Sequence, residues 1–460
     1  MKKHFIVIFV ALLTFSFFLA ACETESAQTS VSLQSTEDAI NSLESSLDNP
    51  EVEFSDDTQM DDSSVSDISA SGDVISETTS EEEFGENAIE VLYNSYSEKP
   101  YFAMVGTCTN GAIVTGECNG ETVSSKSYEG WFSLRLKCTG NSATVTLYET
   151  VDGEQIGGRS VVKVTPKTPG SEMWPVVTGG DFQFFFQKML PDFQGTNVPS
   201  GNVFLGMENR IKGRLNQLRQ YNKNAEIIYL IVPSSMTVYP ELVPETYGEL
   251  AGKTRLTQAI QAINNAGAVA IDLQAIFNQH KADDMPLYYK LDSHWSDYGA
   301  YVAYQALFEH ISEKFPDASP RAIDEFNWNP NYYDSGDMSF YLAMSQQSVK
   351  EYSYYRTFMF DAPNSITSIK RYRSDTSLCY SNAVTEQKTI NTNRNELPSC
   401  IVFRDSYSTQ LYDILAERMN ETNYMGMWGF TWNQSYISSV QPDYIIYVLA
   451  EWNLDSIIYN

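Results

Sequence analysis

One imidazole in this sequence stands beside a carboxylate in a setting suited to acid–base chemistry. In Tyr288-Tyr-Lys-Leu-Asp-Ser-His-Trp-Ser-Asp-Tyr-Gly299, Asp292 and His294 lie two residues apart, just ahead of a helical run to Phe315. In extended backbone such residues point the same way, so Asp292 can hold His294 in one tautomer and orientation. A base held like that needs a nucleophile. Ile401-Val-Phe-Arg-Asp-Ser-Tyr-Ser408 supplies one, because an apolar strand ends abruptly at Asp405-Ser406 and then turns into a helix. Strand, sharp turn, serine and helix present a hydroxyl at the carboxyl end of a sheet strand. A serine is a weak nucleophile at its own pKa and requires an adjacent base. The expected constellation is therefore Ser406 as nucleophile, His294 as base and Asp292 as orienter. His280 ends a helix, where the dipole favours a cation, and His310 sits beside Glu309 on a helix face. The other reading of Asp292-x-His294 is a plain turn, with Asp297 capping the helix that follows.

The elements that must position these groups alternate in type. After Trp174 the pattern predicts helices over 209–222, 256–265, 273–280, 297–315 and 410–419. Strands are expected at 226–232, 268–272, 399–403 and 443–449. The strands are continuous apolar runs rather than alternating ones, which implies a mostly parallel sheet covered on both faces. Residues 317–393 are rich in Tyr, Asn and Ser and poor in pattern, so loops and an irregular insertion near the site are expected there.

Upstream, runs at 101–107, 112–118, 131–138, 143–150 and 159–165 are separated by Asn-Gly, Asp-Gly and similar turns. Short strands at this spacing predict a small β-sandwich-like domain over 95–170, ahead of the α/β domain at 171–460. It carries no catalytic constellation and reads as a spacer or carbohydrate-binding module. Between 23 and 90 there are about twenty Asp and Glu residues and no Lys or Arg, which accounts for most of the net charge of −29. The segment 23–94 is too polar to offset its ordering entropy and is expected to be a disordered tether, with a coil reach of about 45 Å. The chain lacks the basic stripe of a nucleic-acid binder.

Met1-Lys-Lys-His followed by an apolar run to Leu19 has the form of a secretory signal over 1–22, too short to span a membrane. Leu19-Ala-Ala-Cys22 resembles the bacterial lipobox, which implies lipid attachment at Cys22 and an extracytoplasmic protein on a membrane face. In that compartment Cys108, Cys118 and Cys138 allow one disulfide and Cys379–Cys400 allow another. The cysteine spacing does not suit zinc and histidines are few, so neither metal nor cofactor is expected.

Asp292-Ser-His-Trp-Ser-x-x-Gly299 together with Asp405-Ser-Tyr-Ser408 resembles the AlgX/AlgJ-type SGNH-hydrolase-like proteins of alginate O-acetylation and the related bacterial DHHW proteins. The strand running into Pro233, Val238-Tyr-Pro-Glu241 and the late strand at 442–451 fit as well, so the resemblance covers Trp174 to the C-terminus. It implies an SGNH-like fold and the same roles for Ser406, His294 and Asp292. The chain order Asp–His–Ser is permuted relative to ordinary SGNH esterases, but triads are defined by geometry. Two positions depart from relatives: Arg404 stands where glycine is frequent, and Ser234-Ser235 where lysine is frequent. The implied activity is O-acetyl transfer to a cell-surface or secreted polysaccharide, with an integral-membrane acyltransferase as acetyl donor. An acetyl esterase with the same triad and a non-catalytic polysaccharide-binding lipoprotein are the alternatives. Trp295, Tyr407, Tyr239 and Arg404 are the expected substrate contacts, with Tyr298, Trp428, Trp432 and Asn453 as further candidates.

Overall fold

The computed structural model describes residues 89–98, 100–165, 176–333, 336–341, 351–360, 368–371, 387–426 and 432–460. The signal, Cys22, the acidic segment as far as residue 88, Trp428 and Cys379 lie outside them. The described residues all fall within the unit Asp73–Asn460.

Seven antiparallel strands come first: β1 (Glu90–Glu98), β2 (Tyr101–Thr107), β3 (Ile113–Cys118), β4 (Glu121–Lys126), β5 (Trp131–Lys137), β6 (Ala143–Val151) and β7 (Glu154–Val164). They form one sheet ordered β1-β2-β5 and another ordered β4-β3-β6-β7. Alternate residues of each, among them Met104, Leu134 and Leu136 from one and Val114, Val145 and Leu147 from the other, fill a shared core. A Cβ at Gly116 would come within 2.9 Å of the Leu134 side chain, so the sheets approach closely there. Strand β1 begins at Glu90, inside the segment expected to be tether. The acidic composition hides it, but Ile89 and Val91 pack on the core of the sandwich and supply the apolar side that a strand needs. Cys108, Cys118, Cys138 and Cys400 are all free thiols, contrary to the bridge expected among the first three. Cys138 instead donates to the Gly140 carbonyl at 3.1 Å.

A short pair, β8 (Val176–Thr178) and β9 (Phe184–Phe186), leads into the α/β region. Its seven-stranded sheet has the order β11-β10-β18-β16-β17-β15-β14. Here β10 is Glu226–Val232, β11 Val269–Ile271, β14 Ser368–Arg371, β15 Gln387–Asn391, β16 Ser399–Arg404, β17 Glu421–Gly426 and β18 Tyr444–Ala450. The first five strands in that order are parallel, and β15 and β14 add antiparallel edges. The longer helices are α1 (Gly201–Leu218), α2 (Arg255–Asn265), α3 (Leu273–His280), α4 (Asp297–Ser312), α5 (Tyr412–Glu417) and α6 (Gln434–Val440). Ile227, Tyr229 and Ile231 of β10 turn toward α1, α2 and α6, while Ile228, Leu230 and Val232 turn toward α3, α4 and α5. This is an α/β fold with a mostly parallel sheet covered on both faces. Among the described residues no helix is long and apolar enough to cross a membrane.

Helix α1 starts at Gly201, earlier than periodicity predicts, because Phe204, Met207, Ile211, Leu215 and Leu218 continue one buried stripe through its glycines. Residues 317–393 also hold more order than expected. Strands β12 (Phe326–Tyr333) and β13 (Glu351–Phe358) pair in full register there, and β14 and β15 extend the main sheet. Such pairings depend on partners distant in sequence, which local pattern cannot reveal.

Candidate active site

Two loops at the carboxyl ends of the parallel strands meet. Strand β16 ends at Arg404, and Asp405 is fully buried at the turn that follows. Its carboxylate accepts from Tyr407 N–H at 3.0 Å and from Ala450 N–H, at the end of neighbouring β18, at 2.9 Å. Asn453 Nδ2 donates to the same carboxylate at 3.3 Å. Asp405 thereby fixes the turn from two directions and leaves the half-buried Ser406 at the first position of the next helix.

The second loop is pinned just ahead of α4. Ser296 caps that helix by accepting from Gly299 N–H at 3.1 Å. Glycine is required at 299, since a Cβ would collide with the Leu287 carbonyl and lie 3.2 Å from Trp295 Cβ. Trp295 is fully buried and donates from Nε1 to the Tyr407 carbonyl at 2.8 Å, so the two loops are tied together directly. Tyr407 returns the tie by donating its hydroxyl to the Ser293 carbonyl, and its ring lies 4.6 Å from that of His294.

Within this frame His294 Nδ1 stands 2.6 Å from Asp292 Oδ1, and Nε2 stands 2.8 Å from Ser406 Oγ. With a carboxylate on Nδ1, the neutral ring carries its proton there and Nε2 is left to accept from the serine. The same Asp292 oxygen also accepts from His294 N–H at 2.8 Å, while Oδ2 accepts from Asp337 N–H at 3.2 Å. About a quarter of the His294 and Asp292 side chains remains exposed, 25% and 26%, so a substrate can reach them.

Burial disfavours the charged imidazolium, but the hydrogen bond and charge of Asp292, with Asp337 and Asp405 beyond it, outweigh that and raise His294 above its ordinary value. Burial likewise works against the Asp292 carboxylate, yet His294 and the two N–H donors hold it below the usual range. Asp337 is pushed up to about 6, first by burial and then by the charge of Asp292. Asp292, His294 and Asp337 stand close enough together to suit a metal ion. Both nitrogens of His294 are already engaged, however, so an ion there would have to displace Ser406 or Asp292.

The expected substrate contacts fall differently. Arg404 is fully buried, with one terminal nitrogen 3.2 Å from Ser408 Oγ and its guanidinium 5.6 Å from the rings of Tyr412 and Tyr424. Arg404 and Trp295 thus present no surface to a ligand, because strand and helix packing encloses them. Tyr298 is buried as well, and Asn453 is spent on Asp405. Tyr239 is half-buried under Lys281, and Trp432 donates to Gln217 and Gln434. Tyr407 alone of these lines a cleft beside the site, about 270 Å³ with open solvent included; its other walls include Ser293, Ser234, Ser235, Met236 and Trp452. Asp337 and Glu351 lie in a segment without a motif, and Glu451 and Trp452, at and just beyond the end of the late strand, have no spacing that marks them as part of a site. Glu451 is buried between Ser234 N–H at 2.7 Å and the Thr237 hydroxyl at 2.8 Å, and burial pushes it up to about 7.

Residues 205–367 match the family model of the SGNH hydrolase-like domain of acetyltransferase AlgX. The SGNH-like match contains Asp292 and His294 and ends before Ser406. No curated protein matches the sequence. Among solved structures, the chain is similar to the O-acetyltransferase domain of Pseudomonas putida AlgJ, at 18% identity and a TM-score of 0.39 over 62% of this chain and 93% of that one. It is also similar to Bacillus cereus PatB1, at 16% identity and a TM-score of 0.45 over 61% of this chain and 98% of the other. A DHHW family protein from Eubacterium siraeum follows, at 13% identity and a TM-score of 0.40 over 68% of this chain and 95% of the other.

Proposed function

We propose that this protein is a serine-dependent O-acetyltransferase that acts outside the cytoplasm on a cell-surface or secreted polysaccharide, tethered to a membrane through Cys22. The observation that carries the chemistry is the 2.8 Å approach of His294 Nε2 to Ser406 Oγ, with Asp292 behind the ring. The SGNH-like acetyltransferase match supports the choice of acyl group. The tether, the glycan and an integral-membrane acetyl donor rest on the signal-like N-terminus and on the family resemblance.

In the first half-reaction Ser406 Oγ attacks the acyl carbonyl while Nε2 removes its proton. The tetrahedral oxyanion is met by backbone N–H groups at the turn, that of Ser406 among them. Collapse breaks the bond to the donor oxygen, which takes the proton from the imidazolium and leaves an acyl-serine. In the second half-reaction a sugar hydroxyl attacks that ester, gives its proton to His294 and departs acylated, which restores Ser406. Asp292 stabilises the imidazolium in both halves without itself becoming protonated.

The test is turnover of a chromogenic acetyl ester, with and without sugar acceptors, by the wild type, Ser406→Ala and His294→Ala. Acetylated sugar from the wild type and loss of all turnover in both variants is the expected result. Release to water with no transfer to any acceptor would make the protein an esterase. Equal labelling of wild type and Ser406→Ala by a serine-reactive phosphonate would overturn serine catalysis altogether.

A further inference from the structure

The segment carrying Asp292 and His294 has few backbone partners in regular structure. It runs between α3 and α4 as loop, and its N–H groups need acceptors wherever water is excluded. Two carboxylates from the distant insertion supply them. Glu351, at the start of β13 and 3% exposed, accepts from Lys290 N–H at 2.5 Å and from Leu291 N–H at 2.9 Å, one with each oxygen. Asp337, from the short helix Asp337–Tyr341, accepts from Ser293 N–H at 2.7 Å and from the Ser293 hydroxyl. Its own N–H returns a bond to Asp292 Oδ2. Gly336, just before it, lets this happen, since a Cβ there would collide with the Leu291 carbonyl and with Asp292 Cβ.

We infer that Asp337 and Glu351 are positioning residues that clamp residues 290–293 and so set the aim and basicity of the Asp292–His294 pair. The inference rests on the acyl-transfer reading for its kinetic consequences but not for its geometry. Asp292 divides its oxygens between His294 and Asp337, so rotation of its carboxylate would cost the Asp337 bond. Ser293, between the two acid–base residues, is held at both N–H and hydroxyl, which removes the main freedom of a two-residue arm. The clamp also adds charge. Asp337 faces His294 together with Asp292 and Asp405, and Tyr407 is a further titratable neighbour. A negative group there favours the imidazolium that forms in each half-reaction.

Asparagine at 337 preserves the shape, since its oxygen can accept from Ser293 N–H and its amide can donate to the Ser293 hydroxyl, but it removes the charge. Alanine removes both. The measurements are the His294 titration by NMR, tractable with four histidines in the chain, and kcat and KM for the chromogenic ester, on the full-length protein. Asp337→Asn is expected to lower the His294 pKa and shift the acid limb of the rate profile the same way. Asp337→Ala and Glu351→Gln are expected to lower kcat roughly 10- to 100-fold with KM little changed, the size expected when a reacting group drifts by about an ångström. A purely architectural role would lower thermal stability while leaving the His294 titration and kcat of the folded fraction as in the wild type, and that result overturns the inference. If the wild type itself shows no turnover, the acyl-transfer reading fails. The His294 titrations of Asp337→Asn and Asp337→Ala still decide whether the clamp sets that group.

Discussion

The hydroxyl of Ser406 lies against a base that is unusually ready to be charged. His294 lies above its ordinary value because Asp292, Asp337 and Asp405 outweigh the burial that opposes protonation. In the proposed mechanism the free base activates Ser406, so kcat/KM is expected to rise with pH through that elevated value, with an acid limb above that of a free imidazole. Replacing Asp292 by Asn would remove the partner that fixes the tautomer. Its expected effect is a loss of about 10²- to 10⁴-fold in turnover with Ser406 still in place, read from the same ester assay. The sequence made Asp292, His294 and Ser406 legible because each sits in a short pattern whose geometry is local: an i, i+2 pair, and a strand that breaks at a serine. Asp337 and Glu351 escaped it for the opposite reason. Their partners are backbone groups 44 to 61 positions away, and no spacing rule covers a carboxylate that serves another segment's N–H.

At the level of elements, strand identity followed from apolar runs, and the parallel core β10, β16 and β18 lies within about a residue of expectation. Edges and insertions did not follow, because β1, β4, β14 and β15 gain their apolar contacts or ladder bonds from partners rather than from their own periodicity. Arg404 shows the same limit. Met by itself in the sequence, an arginine two positions before an expected nucleophile suggests ligand contact, whereas β16 carries it inward against the stacked pair Tyr412 and Tyr424. Arg404→Gly would leave a void in that layer and is expected to destabilise the fold by about 3–5 kcal/mol, a cavity cost seen as a lower denaturation midpoint. Helix α4 offers a sharper test. Gly299→Ala must push its first turn away from Leu287 and Trp295. A loss of about 1–3 kcal/mol is expected from overpacking, accompanied by reduced turnover, because Trp295 ties this turn to the Ser406 loop.

Across the whole molecule, the sandwich and the α/β region share a core beneath the acid–base loop. Val105 of β2 packs with Phe182, Phe184, Leu291 and Met338, and Leu291 is the residue before Asp292. Tyr128 adds a polar link, its hydroxyl 3.1 Å from both the N–H and the carbonyl of Tyr352 in β13. The sandwich therefore supports the segment that carries Glu351. That arrangement buries carboxyl groups and sets how stability depends on pH. Burial raises Glu351 and Glu451 to about 7 from an ordinary 4.5, and raises Asp337 to about 6. Between the ordinary and raised values the folded chain holds more protons than the unfolded one, so these groups lose stability as pH rises through that window. His294, also raised, acts in the same direction. Asp292 and Glu226 are lowered, the latter because Lys314 and His310 outweigh its burial, and they lose stability as pH falls below their ordinary values. The two trends oppose each other, so the stability these groups contribute falls away on both the acid and the alkaline side of the ordinary carboxylate range. Glu451 isolates the upper limb, since it is fully buried and one of its oxygens has no hydrogen-bond partner among the described residues. Glu451→Gln keeps an acceptor for Ser234 and Thr237 but cannot ionise. Urea unfolding at pH 5 and pH 8 should show the variant gaining roughly 1–3 kcal/mol over the wild type on going to the higher pH. An equal difference at both values would mean that Glu451 ionises in the fold as freely as in the unfolded chain.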